Sequence, residues 1–81
     1  MAGFARNEAE IAERASRFIK AELKRAGLTY DDLAERLGKH GIKGETRNSV
    51  TAKLARGTFP ATFFIGTLAA LEREGLRLEE L

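Results

Sequence analysis

The chain has 81 residues, with fourteen Lys or Arg against twelve Asp or Glu, one histidine and no cysteine. A chain this short holds one domain with a thin core, burying only about 60–65% of its unfolded surface. Without thiols it has neither a disulfide framework nor a thiolate metal site, and no apolar run approaches the roughly 20 residues needed to cross a bilayer.

Stability must then come from packed helices, to which a partner subunit could add. Residues 1–81 read as a single domain, with 1–7 as a flexible N-terminal arm. The opening Met1 to Arg6 has no signal-like apolar stretch, so the cytoplasm is the expected compartment. Charge is unevenly spread. Residues 1–57 carry twelve basic against eight acidic side chains, and residues 58–81 carry two against four. Between Arg36 and Arg56 six basic residues and His40 face Glu45 alone, an excess that can attract a polyanion or simply form a solvated face.

The first periodic segment predicts a helix from about Glu8 to Ala26. Asn7 is its N-cap, and Glu10 completes a capping-box pattern. Ile11, Ala15, Phe18, Ile19, Leu23 and Ala26 share one arc, while Arg17, Lys20 and Lys24 lie opposite. Glu22 projects into the apolar arc and needs a basic partner or a place at its rim. Gly27 ends the helix in the left-handed region.

A second, two-turn helix follows, capped by Thr29, with Asp31 and Asp32 near its positive end and Gly38 closing it. Leu33 and Leu37 give its inner face, and at this length it must pack against neighbours. Lys39 to Glu45 is a loop, pinned to the core by Ile42. A third helix runs from Thr46 or Arg47 to Arg56 and stops at Gly57. Only Val50 and Leu54 are apolar enough to bury, so most of its surface is left for something other than core. Pro60 opens a fourth helix that runs through Glu74, with Phe64, Ile65, Leu68 and Leu71 as its main face. Phe63 points elsewhere and is a candidate dimer or partner contact. Leu78 and Leu81 close the core from a last short turn.

The stretch Ala26-Gly27-Leu28-Thr29, followed by Leu33-Ala34-Glu35-Arg36-Leu37-Gly38, resembles the opening of lambda-repressor-like (Cro-like, XRE-type) DNA-binding domains. Lys53-Leu54-Ala55-Arg56-Gly57 looks like the end of their recognition helix. Leu76-x-Leu78-x-x-Leu81 is similar to their final helices. The resemblance covers residues 18–81. It implies an all-α, four- to five-helix helix-turn-helix fold with double-stranded DNA as partner; a domain of this size reads only a few base pairs, so a homodimer is expected. Two features depart from the pattern: the turn from Gly38 to Arg47 is several residues longer, and Val50 and Leu54 are four apart rather than three. Both, with Arg56-Gly57-Thr58-Phe59, look closer to an uncharacterised bacterial branch known only as a domain of unknown function.

A helix in the major groove needs donors and acceptors on one exposed face and basic residues at its ends. Arg47, Asn48 and Thr51 are the candidates for base edges. Lys39, Lys43, Lys53 and Arg56 are the candidates for phosphates. Thr29 and Tyr30, at the start of the second helix, offer further phosphate contacts through free N–H groups. A stretch of solvated polar residues would look the same. The composition argues against an enzyme: no cysteine, one histidine, no Gly-rich phosphate loop and no metal-ligand cluster, hence no implied cofactor or metal. The alternative is a protein-interaction module on the same fold, its long turn holding the third helix away from DNA.

Overall fold

A computed structural model describes residues 3–81; the described residues form four α-helices and one turn of 3-10 helix, with no strand. Helix α1 spans Glu8–Ala26, α2 Tyr30–Lys39, α3 Arg47–Arg56 and α4 Ala61–Ala70, and Leu78–Glu80 form the 3-10 turn. The apolar spacing explains the assembly. Phe18, Ile19 and Leu23 of α1, Leu33 and Leu37 of α2, Val50 and Leu54 of α3, and Phe63 and Ala70 of α4 meet in one core. Helix α2 packs against both α3 and α4, and α3 packs against α1.

Local chemistry sets the ends. Asn7 Oδ1 accepts from the Glu10 N–H at 2.8 Å, as its N-cap position requires. The Glu10 carboxylate, however, receives Arg6 Nε at 2.9 Å rather than closing a capping box. Gly27, at φ 72°, ends α1: its N–H reaches Lys24 O and the Leu28 N–H reaches Leu23 O, the paired bonds of a left-handed helix stop. Full capping boxes open α2, between Thr29 and Asp32, and α3, between Thr46 and Ser49. Gly38 does not close α2, which continues through Lys39; the reversal falls at Gly41, at φ 95°. Beyond these contacts of Arg6 and Asn7, the expected arm is held at Phe4, where Arg14 Nη1 donates to Phe4 O at 2.6 Å and lies over its ring. Met1 and Ala2 lie outside the described residues.

Three expectations about packing are corrected. On α1 every buried position lies at Ser16 or beyond, so Ile11 stands outside the core at 45% exposure. On α4 the buried face is Phe63, Gly66, Thr67 and Ala70, and Ile65 faces solvent. The helix is apolar almost all round, so shape decides its facing: Gly66 lies against Ile42 and Leu37, and a Cβ there would collide with Ile42 Cδ1. At the C-terminus Leu78 is exposed, whereas Leu76 and Leu81 pack against the core.

Helix α4 also ends at Ala70 rather than Glu74. The Arg73 N–H bonds to Leu68 O and the Glu72 N–H to Ala69 O, and Glu72 itself takes φ 60°. This is a glycine-type stop carried by a residue with a side chain, which costs about 1–2 kcal/mol. Glu72→Gly is therefore expected to stabilise the protein by about 1 kcal/mol, and urea titration should show a higher midpoint with an unchanged slope. The chain after it is tied down through charge. Glu22, half-buried in the α1 arc, receives Arg73 Nη1 at 2.9 Å and Arg25 Nη1 at 2.8 Å, the basic partners its position requires. Arg73 also binds Glu80 and covers the Phe18 ring.

Candidate nucleic-acid interface

Helix α3 carries the site because so little of it is needed for the core. Val50 and Leu54 are buried, and the opposite half of the helix, Arg47, Asn48, Thr51, Ala52, Ala55 and Arg56, is exposed. All three candidate base readers therefore stand on one solvent-facing arc near the helix start. Thr51 is already partly used, its Oγ1 donating to Arg47 O at 2.8 Å. Ala52 and Ala55 keep the rest of that face low, so a partner surface can approach the helix backbone.

Arg47 does not stand free. Its Nε and Nη2 lie 3.0 and 2.5 Å from Asp31 Oδ2, joining the first turn of α3 to the first turn of α2. The pair is exposed, with 66% of the Arg47 side chain accessible, so its own contribution to stability is small and the guanidinium can exchange partners. The α2 start is a poor phosphate cradle. The Thr29 N–H donates to Asp32 Oδ2, the Asp32 N–H to Thr29 Oγ1, and Tyr30 is packed against the core. An anion there would also meet the two carboxylates of Asp31 and Asp32.

The basic residues divide sharply. Lys53 is turned inward at 21% side-chain exposure, with Nζ 2.9 Å from Glu45 Oε2 and 5.6 Å from the centre of the Phe63 ring. Lys39 lies 3.8 Å from Glu35. Arg36 spends its guanidinium on Ala70 O at 3.0 Å. Lys43, on the loop, and Arg56, at the end of α3, are exposed and have no ion-pair partner among the described residues. Of the six cations from Arg36 to Arg56, three thus face carboxylates, Arg36 keeps its charge against a carbonyl, and the two with no partner, Lys43 and Arg56, sit at the two edges of α3. Phe63 is corrected outright: at 2% exposure it belongs to the core, its ring tilted 52° against that of Phe59 at 5.1 Å, and is no surface contact. Sequence reading also missed Ser16, buried at 4% exposure, whose Oγ donates to Leu54 O at 2.5 Å and ties the last turn of α3 to α1. A serine among Ala12, Ala15 and Ile19 gives no periodic signal of its own.

Glu45 has a measurable role. Burial alone raises its pKa, but the hydrogen bonds from Ser49 and Lys53 and the Lys53 charge outweigh this and hold it below its ordinary 4.5. A depressed carboxyl stabilises the fold above its unfolded-state value and loses that contribution as pH falls through the folded-state value. Thermal unfolding followed from about pH 6 to about pH 3 should therefore show the wild type losing more stability below 4.5 than Glu45→Gln. Glu10 (held down by Arg6), Asp32 (by the Thr29 N–H) and Glu80 (by the Arg77 N–H) are also lowered, but they are common to both proteins and cancel in the difference.

The fold and this surface define a small all-helical domain that presents one polar helix, edged by free cations, to solvent. No group of His, Cys, Asp or Glu among the described residues is arranged to hold a metal ion, and no helix is long and apolar enough to cross a membrane. The chain belongs to the family described as a domain of unknown function, DUF6471, whose model matches residues 11–76 and so takes in α2, α3, α4 and all of α1 but its first three residues. No curated protein matches the chain, and no solved structure does.

Proposed function

We propose that the protein is a lambda-repressor-like helix-turn-helix domain that binds double-stranded DNA sequence-specifically. In this reading it serves as a small transcriptional regulator in the cytoplasm, with α3 in the major groove. The observation that carries this is the exposed half of α3, with Arg47, Asn48 and Thr51 together on one arc and the rest of the face kept low by alanines. Arg47 pairs with guanine, Asn48 with adenine and Thr51 with a thymine methyl or a phosphate. Lys43 and Arg56 hold backbone phosphates on either side, Lys39 joins them after leaving Glu35, and Lys53 supports the helix through Glu45. Binding as a homodimer doubles the few base pairs one such domain reads. With Phe63 inside, Ile65 on α4, the most exposed of the large apolar side chains at 64%, is the candidate for that contact.

Fluorescence anisotropy with a duplex at rising salt tests the reading. Affinity should fall with a log–log slope of about 0.9 for each phosphate neutralised, and Lys43→Ala should reduce the slope by about one. Absence of salt-dependent binding to any duplex would overturn it. The Asp31–Arg47 pair favours a second reading, a protein-interaction module, because it places a carboxylate beside the leading base-reading residue.

A further inference from the structure

Between the first half of α1 and the end of α3 runs a groove of about 540 Å³, large enough for two or three aliphatic side chains. Its floor is small and apolar: Ala9 and Ala12 from α1, Leu54 and Ala55 from α3. Its walls are fixed in place. Ser16 Oγ holds the last turn of α3 through Leu54 O, and a Cβ at Gly57 would lie 3.1 Å from the Ala12 carbonyl oxygen, so the two helices touch there with no room for a larger residue. The rim is cationic. Lys20 and Arg56 line it with no ion-pair partner among the described residues, and Arg17 lines it beside Glu13, only loosely paired at 3.5 Å.

We infer that this groove docks an acidic amphipathic helix of a partner protein, and that docking competes with DNA. The floor asks for Leu-type side chains at i, i+3 and i+4, and the rim asks for flanking Glu or Asp, the usual form of helix-in-groove recognition. A strand of nucleic acid would satisfy the rim but leave the apolar floor unfilled. A second copy of this chain exposes no such helix: the leucines of α2 and α3 are buried in its own core, α1 carries five Arg or Lys beside its four Glu, and α4 carries no charge at all. The competition rests on the DNA reading, because Arg56 is shared by the groove rim and the edge of α3.

The probe is a fluorescein-labelled synthetic helix of Leu and Glu with leucines at i, i+3, i+4 and i+7, titrated with the whole chain and followed by anisotropy. The scrambled peptide of the same composition is the control. Binding should weaken about tenfold in Lys20→Glu, which reverses the rim, and in Ala9→Phe, which fills the floor. Both positions are exposed, and circular dichroism should show unchanged helicity. No binding of the patterned peptide, equal binding of the scrambled one, or indifference to both substitutions overturns the groove. A DNA duplex added to the preformed complex should release the peptide. If the duplex binds while the peptide stays bound, the competition is overturned; if no duplex binds at all, the DNA reading fails and the peptide titrations still decide the groove.

Discussion

Leu37→Ala is expected to cost about 2–5 kcal/mol, from a total that for 81 residues is roughly 4–12 kcal/mol. Leu37 is fully buried, and its position explains why the loss should fall toward the upper part of that range. Its carbonyl accepts the Ile42 N–H at 2.9 Å, and its side chain lies with Ile42 over the bare backbone of Gly66. Truncation opens a cavity where α2 meets α4 and loosens the residue that anchors the long turn. At about 4–8 °C per kcal/mol, the melting temperature should fall by at least about 8 °C. Leu78→Ala is the control: the sequence pattern places Leu78 in the core, but at 62% exposure its removal should change stability by no more than about 0.5 kcal/mol. Equal losses in the two variants would contradict the packing described here.

The second large effect concerns Arg47. If this guanidinium exchanges Asp31 for a guanine edge, Arg47→Ala should weaken binding to a preferred duplex by about 1–3 kcal/mol, roughly 5- to 150-fold, and flatten base preference at one position. The partner substitution gives the opposite sign. On the proposed DNA reading, Asp31→Asn removes a negative charge from the face that would meet phosphates and frees Arg47, so duplex affinity should rise. Anisotropy at one fixed salt concentration measures both. A protein-interaction surface built around the Asp31–Arg47 pair would instead leave duplex binding indifferent to both changes.

The helices with strong contrast between faces were legible in the sequence. Asn7, Gly27, Thr29, Gly57 and the pairs Leu33–Leu37 and Val50–Leu54 each state an end or a face by themselves, and the structure places them accordingly. The need of Glu22 for a cation was legible too, although one of its two partners, Arg73, is 51 residues away and could not be named. Helix α4 was not legible, because a helix apolar on every side has no preferred facing until Ile42 and Leu37 meet the gap at Gly66. Its early stop was hidden as well, since Glu72 gives no sign of the left-handed backbone that it adopts.

At the candidate interface, the exposed arc of α3 followed from its composition, but the state of its charges did not. Lys53 reads as a free cation until the turn brings Glu45 beneath it, and Arg47 until α2 brings Asp31 alongside. Electrostatic pairing across elements depends on how the long turn is laid down, which periodicity does not encode. What remains free after pairing, Lys43 and Arg56, is a smaller and sharper set than the basic stretch as written.

Selection of bound sequences from a random duplex pool, run in parallel with the wild type and Asn48→Ala, tests the central claim most directly. The account predicts that the wild type enriches a short motif and that Asn48→Ala loses preference for adenine at one position of it while keeping the rest. Enrichment of no motif, or of the same motif by both proteins, would contradict α3 as the reading helix.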